Sequence, residues 1–295
     1  MKKRKLLRLI ILEFLVVFCL FFHTFSACAA TVRTPAASGT ITYGTKSVHI
    51  DASNSKDGYI MMKYTGKAPR IKVRIKQTTE YTYDLNTTGR FETFPLTEGS
   101  GDYMISVFEN VKDNVYSTAY TKKIQVKMKD ANSTFLYPNQ FCNYNSNSKA
   151  VKTGDELVKG VTDTLEKVEI IYKYAVDNIT YDYQKAKTVR SGYLPKIDDT
   201  LKTKKGICFD YSALMTSMLR TQNIPTKLVI GYAGSTYHAW ISVYTEEKGW
   251  IDNAIRFDGS TWKFMDPTFA SNGKNDPKVT EYINNPTNYI AKFSY

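Results

Sequence analysis

Residues 205–245 read KGICFDYSALMTSMLRTQNIPTKLVIGYAGSTYHAWISVYT, and the hydrophobic period of this stretch decides the fold class. Tyr211, Leu214, Met215, Met218 and Leu219 recur at three- and four-residue spacing, which predicts a helix with one apolar face. Asn223 and Pro225 end it. TKLVIGYAG and YHAWISVYT follow as two strands, so a helix leading into strands gives an α+β core. The stripe itself is ordinary core packing. Cys208 is different, because it falls where the helix begins. Unpaired backbone N–H groups and the positive end of the helix dipole there stabilise an anion such as a thiolate. The placement suits a nucleophile, and a buried structural thiol is the other reading it allows.

His238 stands near the start of the second strand. The other two histidines, His23 and His49, lie far upstream, so His238 is the only one in the C-terminal half. A lone histidine is more often structural than catalytic. Further on, STWKFMDPTF (260–269) reads as a strand ending at Asp266-Pro267. An antiparallel return would bring that end beside the start of the His238 strand. A carboxylate there would hold the imidazole in one tautomer and leave its other nitrogen facing Cys208.

Upstream, Leu157, Val161, Leu165, Val168 and Tyr172 predict one amphipathic helix of five or six turns through GDELVKGVTDTLEKVEIIYKYAVDNI (154–179). YDY (181–183) reads as a short extended piece, and QKAKTVRSGYLPKIDD (184–199) as a variable connection. Residues 131–152 carry Asn and Ser clusters and read as a linker. Before it the period is two. Ile71, Val73 and Ile75 alternate with Lys72, Arg74 and Lys76, and Ile124, Val126 and Met128 with Gln125 and Lys127. Shorter strand-like runs sit at SVHID, YIMMKY, YTYDL, FETF and YMISVF. About seven short strands over 31–130 predict an all-β sandwich of immunoglobulin-like size, though without the Cys–Trp–Cys pattern of immunoglobulin domains. Its Lys/Arg rows make a basic face. That face serves edge protection and solubility, or attraction to an anionic envelope or wall polymer. No aromatic-basic interleaving points to nucleic acid.

The chain opens MKKRKLLRLIILEFLVVFCLFFHTFSACAAT. A basic start, an apolar run and small residues at Ser26, Ala27, Ala29 and Ala30 make residues 1–30 a secretory signal peptide, with an uncleaved anchor as the bland alternative. Ala27-Cys28 also resembles a bacterial lipoprotein site, which would give an N-terminal lipid anchor at Cys28. The expectation is an extracellular or cell-surface protein. Removing residues 1–30 takes away five basic residues and one acidic one, which lowers the formal charge from +12 to +8. Cys142 and Cys208 are then the remaining cysteines, and they are either free or joined in one disulfide.

Taken together, GICFDYSALMTSMLR, NIPTKLVIGY, YHAWISVY and MDPTF resemble the transglutaminase-like superfamily, whose core is related to papain-like cysteine proteases. The resemblance covers roughly residues 153–270, within a domain expected over 153–295. Gly206–Cys208 corresponds to the family's Gly-x-Cys, His238–Trp240 to its His-Ala-Trp, and Asp266–Thr268 to its Asp-Pro-Thr. It implies catalytic roles for Cys208 as thiolate nucleophile, His238 as base and acid, and Asp266 as the orienting residue. It also implies acyl transfer at protein or peptide amides through a thioester, resolved by water or by an amine. No cofactor or metal is implied, since the acidic clusters of calcium-dependent animal transglutaminases are missing. Tyr193, Tyr181 and Gln140 are candidates for a second oxyanion donor beside the Cys208 N–H. Cell-wall peptide or a surface protein is the substrate class expected for an exported member. A noncatalytic surface binding or assembly module on the same scaffold is the alternative.

Overall fold

The computed structural model describes residues 30–252, 255–257, 262–264 and 288–295. The segment up to residue 29 expected to be a signal peptide, with Cys28, and Asp266 with Thr268, lie outside the described residues.

The first part of the chain is all β. Its strands are β1 (Thr42–Gly44), β2 (Val48–Asp51), β3 (Tyr59–Tyr64), β4 (Ile71–Lys76), β5 (Glu80–Leu85), β6 (Glu92–Pro95), β7 (Gly101–Lys112) and β8 (Val115–Val126). They form two four-stranded antiparallel sheets, in the orders β1-β2-β3-β6 and β5-β4-β7-β8. The alternation in β4 is the cause at the residue level. Ile71, Val73 and Ile75 are buried while Arg74 and Lys76 are exposed, as a strand with one covered face requires. Tyr83 of β5 meets Phe94 of β6 edge to face at 5.2 Å, joining the two sheets in one core. The basic rows are partly offset across strands. Lys72 pairs with Asp84 at 2.6 Å, Lys123 with Asp102 at 2.8 Å and Arg74 with Glu80 at 3.5 Å. The strands β7 and β8 run twelve residues each, further than their apolar alternation, because their shared tip stands in solvent with Val111 and Val115 exposed.

The second part holds α1 (Lys149–Leu157), α2 (Thr164–Asn178), β9 (Thr180–Tyr181), α3 (Tyr183–Thr188), α4 (Ile197–Thr203), β10 (Lys205–Gly206) and α5 (Cys208–Arg220). After these come β11 (Thr226–Ala233), β12 (Thr236–Thr245), β13 (Gly249–Ile251), β14 (Ile255–Phe257), β15 (Trp262–Phe264) and β16 (Tyr289–Ser294). The single long helix expected over 154–179 is two helices. Gly160 takes a left-handed φ of 81°, and Asp163 caps a new helix by accepting the Glu166 N–H at 2.8 Å. Local capping chemistry overrides the apolar spacing there.

The main sheet has the order β13-β12-β11-β16, all antiparallel. Alternation along β11 and β12 gives it two distinct faces. Leu228, Ile230, Ala239, Ile241 and Val243 share a buried cluster with Leu214, Met215 and Met218 of α5, so that helix lies on this face. Val229, Ala233, Trp240 and Tyr289 form a separate cluster on the other. The strand β15 pairs with β14, and β13 pairs with Val243–Thr245 at the end of β12, so the expected return of Asp266 beside the start of β12 is not among these pairings. Asp266 itself falls outside the described residues. An aromatic bridge ties the two parts of the chain. Phe141 stands 5.9 Å from Tyr83, 4.0 Å from Tyr295 and 5.8 Å from Phe209 in the first turn of α5.

Candidate active site

Cys208 is the first residue of α5, behind the N-cap Ile207, and it is half-buried against the main cluster. The helix starts here because Asp210, three residues after the cap, accepts the Ile207 N–H at 2.8 Å. Isoleucine has no oxygen to return the bond, so this is half of a capping box. The glycine two residues before Cys208 has a steric reason: a Cβ on Gly206 would meet Asp210 Cβ at 2.7 Å. The Gly-x-Cys motif therefore leaves room for the carboxylate that starts the helix.

The carboxylate of Asp210 is fully buried, and it is held by three donors. Beyond Ile207, Lys185 Nζ donates to Oδ2 at 2.6 Å and the Tyr193 hydroxyl donates to Oδ1 at 2.5 Å. Lys185 also donates to the Tyr193 oxygen at 2.6 Å. Burial, and then the bond to Asp210, push the Tyr193 phenol well above its ordinary range. Asp182 accepts the Lys185 backbone N–H at 2.9 Å and so starts α3. Its own N–H donates to the Gly206 carbonyl at 2.9 Å. These bonds fasten α3 and the following connection to the entry of α5. The segment 184–199 is thus structured, where its composition suggests only a variable connection. The Asp182-to-Lys185 capping spacing was the available signal.

His238 lies opposite Gly231 in the β11–β12 ladder and is 5% exposed. Its ring sits 6.3 Å from Trp240 and 6.5 Å from Tyr289, on the sheet face away from α5. A side chain at Gly231 would run into the main-chain oxygen of Ile290 and the Trp240 ring, so the glycine allows β16 to close up behind this histidine. Tyr237, on the α5 face, has its phenol pushed up by burial first, then by Tyr232, then by Cys208. Cys208 is thus within electrostatic range of Tyr237, the residue before His238 in the chain. His238 and Tyr237 therefore fall on opposite faces of β12, with the imidazole seated among Trp240 and Tyr289.

Two oxyanion candidates are occupied elsewhere. Tyr193 serves Asp210, and Gln140 donates its amide to the Asp84 carbonyl at 2.5 Å. Tyr181 packs edge to face on Tyr183 at 4.9 Å and pairs with Gly206 in the short β9–β10 ladder. Tyr211 is a core residue, its hydroxyl donating to the Ile179 carbonyl at 2.5 Å. Both Cys142 and Cys208 are free thiols. Among the described residues, no group of three or more His, Cys, Asp or Glu gathers as a metal site.

The model of the transglutaminase-like superfamily matches residues 151–253. The superfamily is one of cysteine-dependent acyltransferase and peptidase kinds. The chain is 31% identical over 144 residues to UPF0252 protein MJ1282 of Methanocaldococcus jannaschii, covering 45% of this chain and 38% of that protein. It is 27% identical over 116 residues to the uncharacterized protein YebA of Bacillus subtilis, covering 32% of this chain and 16% of that one. The match thus spans well under half the length of either relative. Among solved structures, a Cytophaga hutchinsonii protein whose cysteine-protease assignment is itself provisional aligns with a TM-score of 0.41 at 15% identity, over 86% of this chain and 84% of that one. Red sea bream transglutaminase aligns with a TM-score of 0.27 at 14% identity, over 71% of this chain and 48% of that one.

Proposed function

We propose that the chain is an exported cysteine acyl-transfer enzyme acting on protein or peptide amides, with Cys208 as nucleophile, His238 as base and acid, and Asp266 orienting the imidazole. His238 withdraws the thiol proton, Cys208 attacks the amide carbonyl, and ammonia or an amine leaves with the proton returned by His238. Water or an amine then resolves the thioester, with hydrolysis the favoured outcome. The Cys208 backbone N–H, free at the helix start, is an oxyanion donor. The observation that carries the reading is Cys208 as the first residue of α5, inside the stretch 151–253 that the transglutaminase-like model matches.

The seat of His238 among Trp240 and Tyr289 favours a second reading, a noncatalytic surface binding or assembly module on this scaffold. Iodoacetamide at mildly acidic pH separates them. The enzyme reading expects Cys208 to be alkylated much faster than Cys142, and His238→Ala to remove the preference. Equal, slow labelling of both cysteines rules it out.

The all-β part over 31–130, with 131–152 as linker and 153–295 as the catalytic part, is read as an immunoglobulin-like binding sandwich. Two antiparallel sheets in the orders β1-β2-β3-β6 and β5-β4-β7-β8, sharing one core, support it. It would hold the catalytic part against a cell-wall peptide, a surface protein or an anionic envelope. Export follows from the signal segment, with secretion or lipidation at Cys28 as its two outcomes. N-terminal sequencing and mass of the cell-associated protein distinguish them.

A further inference from the structure

We infer that Lys185 and Tyr193 are positioning residues for Cys208: by neutralising and fixing the Asp210 carboxylate, they leave the start of α5 able to hold a thiolate two residues earlier. The inference rests on the nucleophile reading above.

A carboxylate in the first turn of a helix is favourable by itself, because it complements the helix dipole and caps free N–H groups. It conflicts with a second anion in the same turn. Cys208 and Asp210 share the first turn of α5, so forming a thiolate adds a second negative charge to a turn that already carries a buried carboxylate. The fold answers with a cation. Lys185 reaches Asp210 Oδ2 at 2.6 Å, and its Nζ also sits 4.4 Å from the centre of the Tyr193 ring. The Tyr193 hydroxyl takes the other carboxylate oxygen at 2.5 Å. Asp210 is entirely enclosed while Lys185 remains 29% exposed, so the pair is anchored from the carboxylate side. Among the described residues, Tyr237 of β12, Tyr232 of β11 and His238 are further titratable groups at this end, while Asp199 of α4 acts on Tyr193. Lys185 is the cation among them that contacts Asp210 directly.

The test is the pH dependence of iodoacetamide alkylation of the purified protein, read at Cys208 by peptide mass spectrometry. Lys185→Met is expected to move the midpoint up by about one pH unit, slowing alkylation about tenfold at mildly acidic pH. Lys185→Arg should keep the wild-type midpoint. The double variant Lys185→Met/Asp210→Asn, which removes the charge together with its counter-ion, should restore it. A merely structural role lowers the melting temperature of Lys185→Met but leaves the midpoint in place, and that result overturns the inference. Should Lys185→Met fail to fold, Asp210→Asn alone carries the test. Its uncompensated lysine is expected to lower the midpoint, and an unchanged value overturns the inference. A wild-type Cys208 no faster than an unfolded thiol takes down the nucleophile reading as well. A fast wild type with an unmoved Lys185→Met removes only this inference.

Discussion

Arg220 Nη1 lies 3.1 Å from the sulfur of Cys142, and both side chains are fully enclosed. The guanidinium also donates to the main-chain oxygens of Tyr137, Thr226 and Tyr295. One side chain at the end of α5 therefore satisfies carbonyls from the linker, from β11 and from the segment after β16. Replacing it leaves several buried acceptors without donors. Arg220→Met should lower the unfolding free energy in urea by about 3 kcal/mol or more. A loss under about 1 kcal/mol would show that water or rearrangement replaces it. Burial raises the Cys142 thiol, with Arg220 opposing only in part, so this cysteine should stay protonated and resist alkylation near neutral pH.

Gly206 offers a test of how the motif is built. Gly206→Ala brings a methyl against the Asp210 side chain at 2.7 Å from its Cβ, with Thr200 Cγ2 at 3.3 Å closing the other side. The carboxylate cannot keep its bonds to Ile207, Tyr193 and Lys185 without a backbone shift. The expected cost is about 1–3 kcal/mol in stability, the range for overpacking, together with slower alkylation of Cys208. A variant as stable and as reactive as wild type would mean that Asp210 adapts without loss.

The tyrosines predict an alkaline limit. Burial raises the phenols of Tyr83, Tyr103 and Tyr144, so the folded chain holds protons that the unfolded chain gives up above about pH 10. A folded pKa above the unfolded one contributes stability that is present below pH 10 and falls as pH rises beyond it. Urea midpoints should therefore be flat towards pH 9 and drop steeply above 10. Phenolate absorbance from these rings should appear together with loss of far-ultraviolet circular dichroism. Early ionisation in the folded chain would contradict their burial.

Periodicity and motif order disclosed the α5 helix, the β11 and β12 strands and the alternating strands of the first part, because those signals come from residues that face one core. What the sequence did not disclose depends on partners distant along the chain. Lys185 and Asp210 are 25 positions apart and meet only because β9 and β10 pair. The strand β16 adds to β11 across a bulge at Ile230–Gly231, which no local alternation announces. The break between α1 and α2 rests on Gly160 and the Asp163 cap, a local signal that the continuous apolar spacing masked. Most instructive is His238. The motif names the residue, but alternation along β12 decides its face, and that face is the one with Trp240.

The fate of the acyl group is the last prediction. Cys208 is half-buried at the start of α5, so the residue keeps some exposure to water, the acyl acceptor that is always present. A glutamine-containing peptide should therefore release ammonia, or be cleaved, in the absence of any added amine. A primary amine supplied in excess should divert part of the product to a new amide without changing kcat/KM, since in the proposed mechanism acylation of Cys208 precedes the branch. Cys208→Ala should lower kcat/KM by about three orders of magnitude or more in both branches. Mass spectrometry of the peptide products, with and without the amine, measures the partition. Product formed only when amine is present would assign the chain to transfer. Turnover that survives in Cys208→Ala would place the chemistry at another residue.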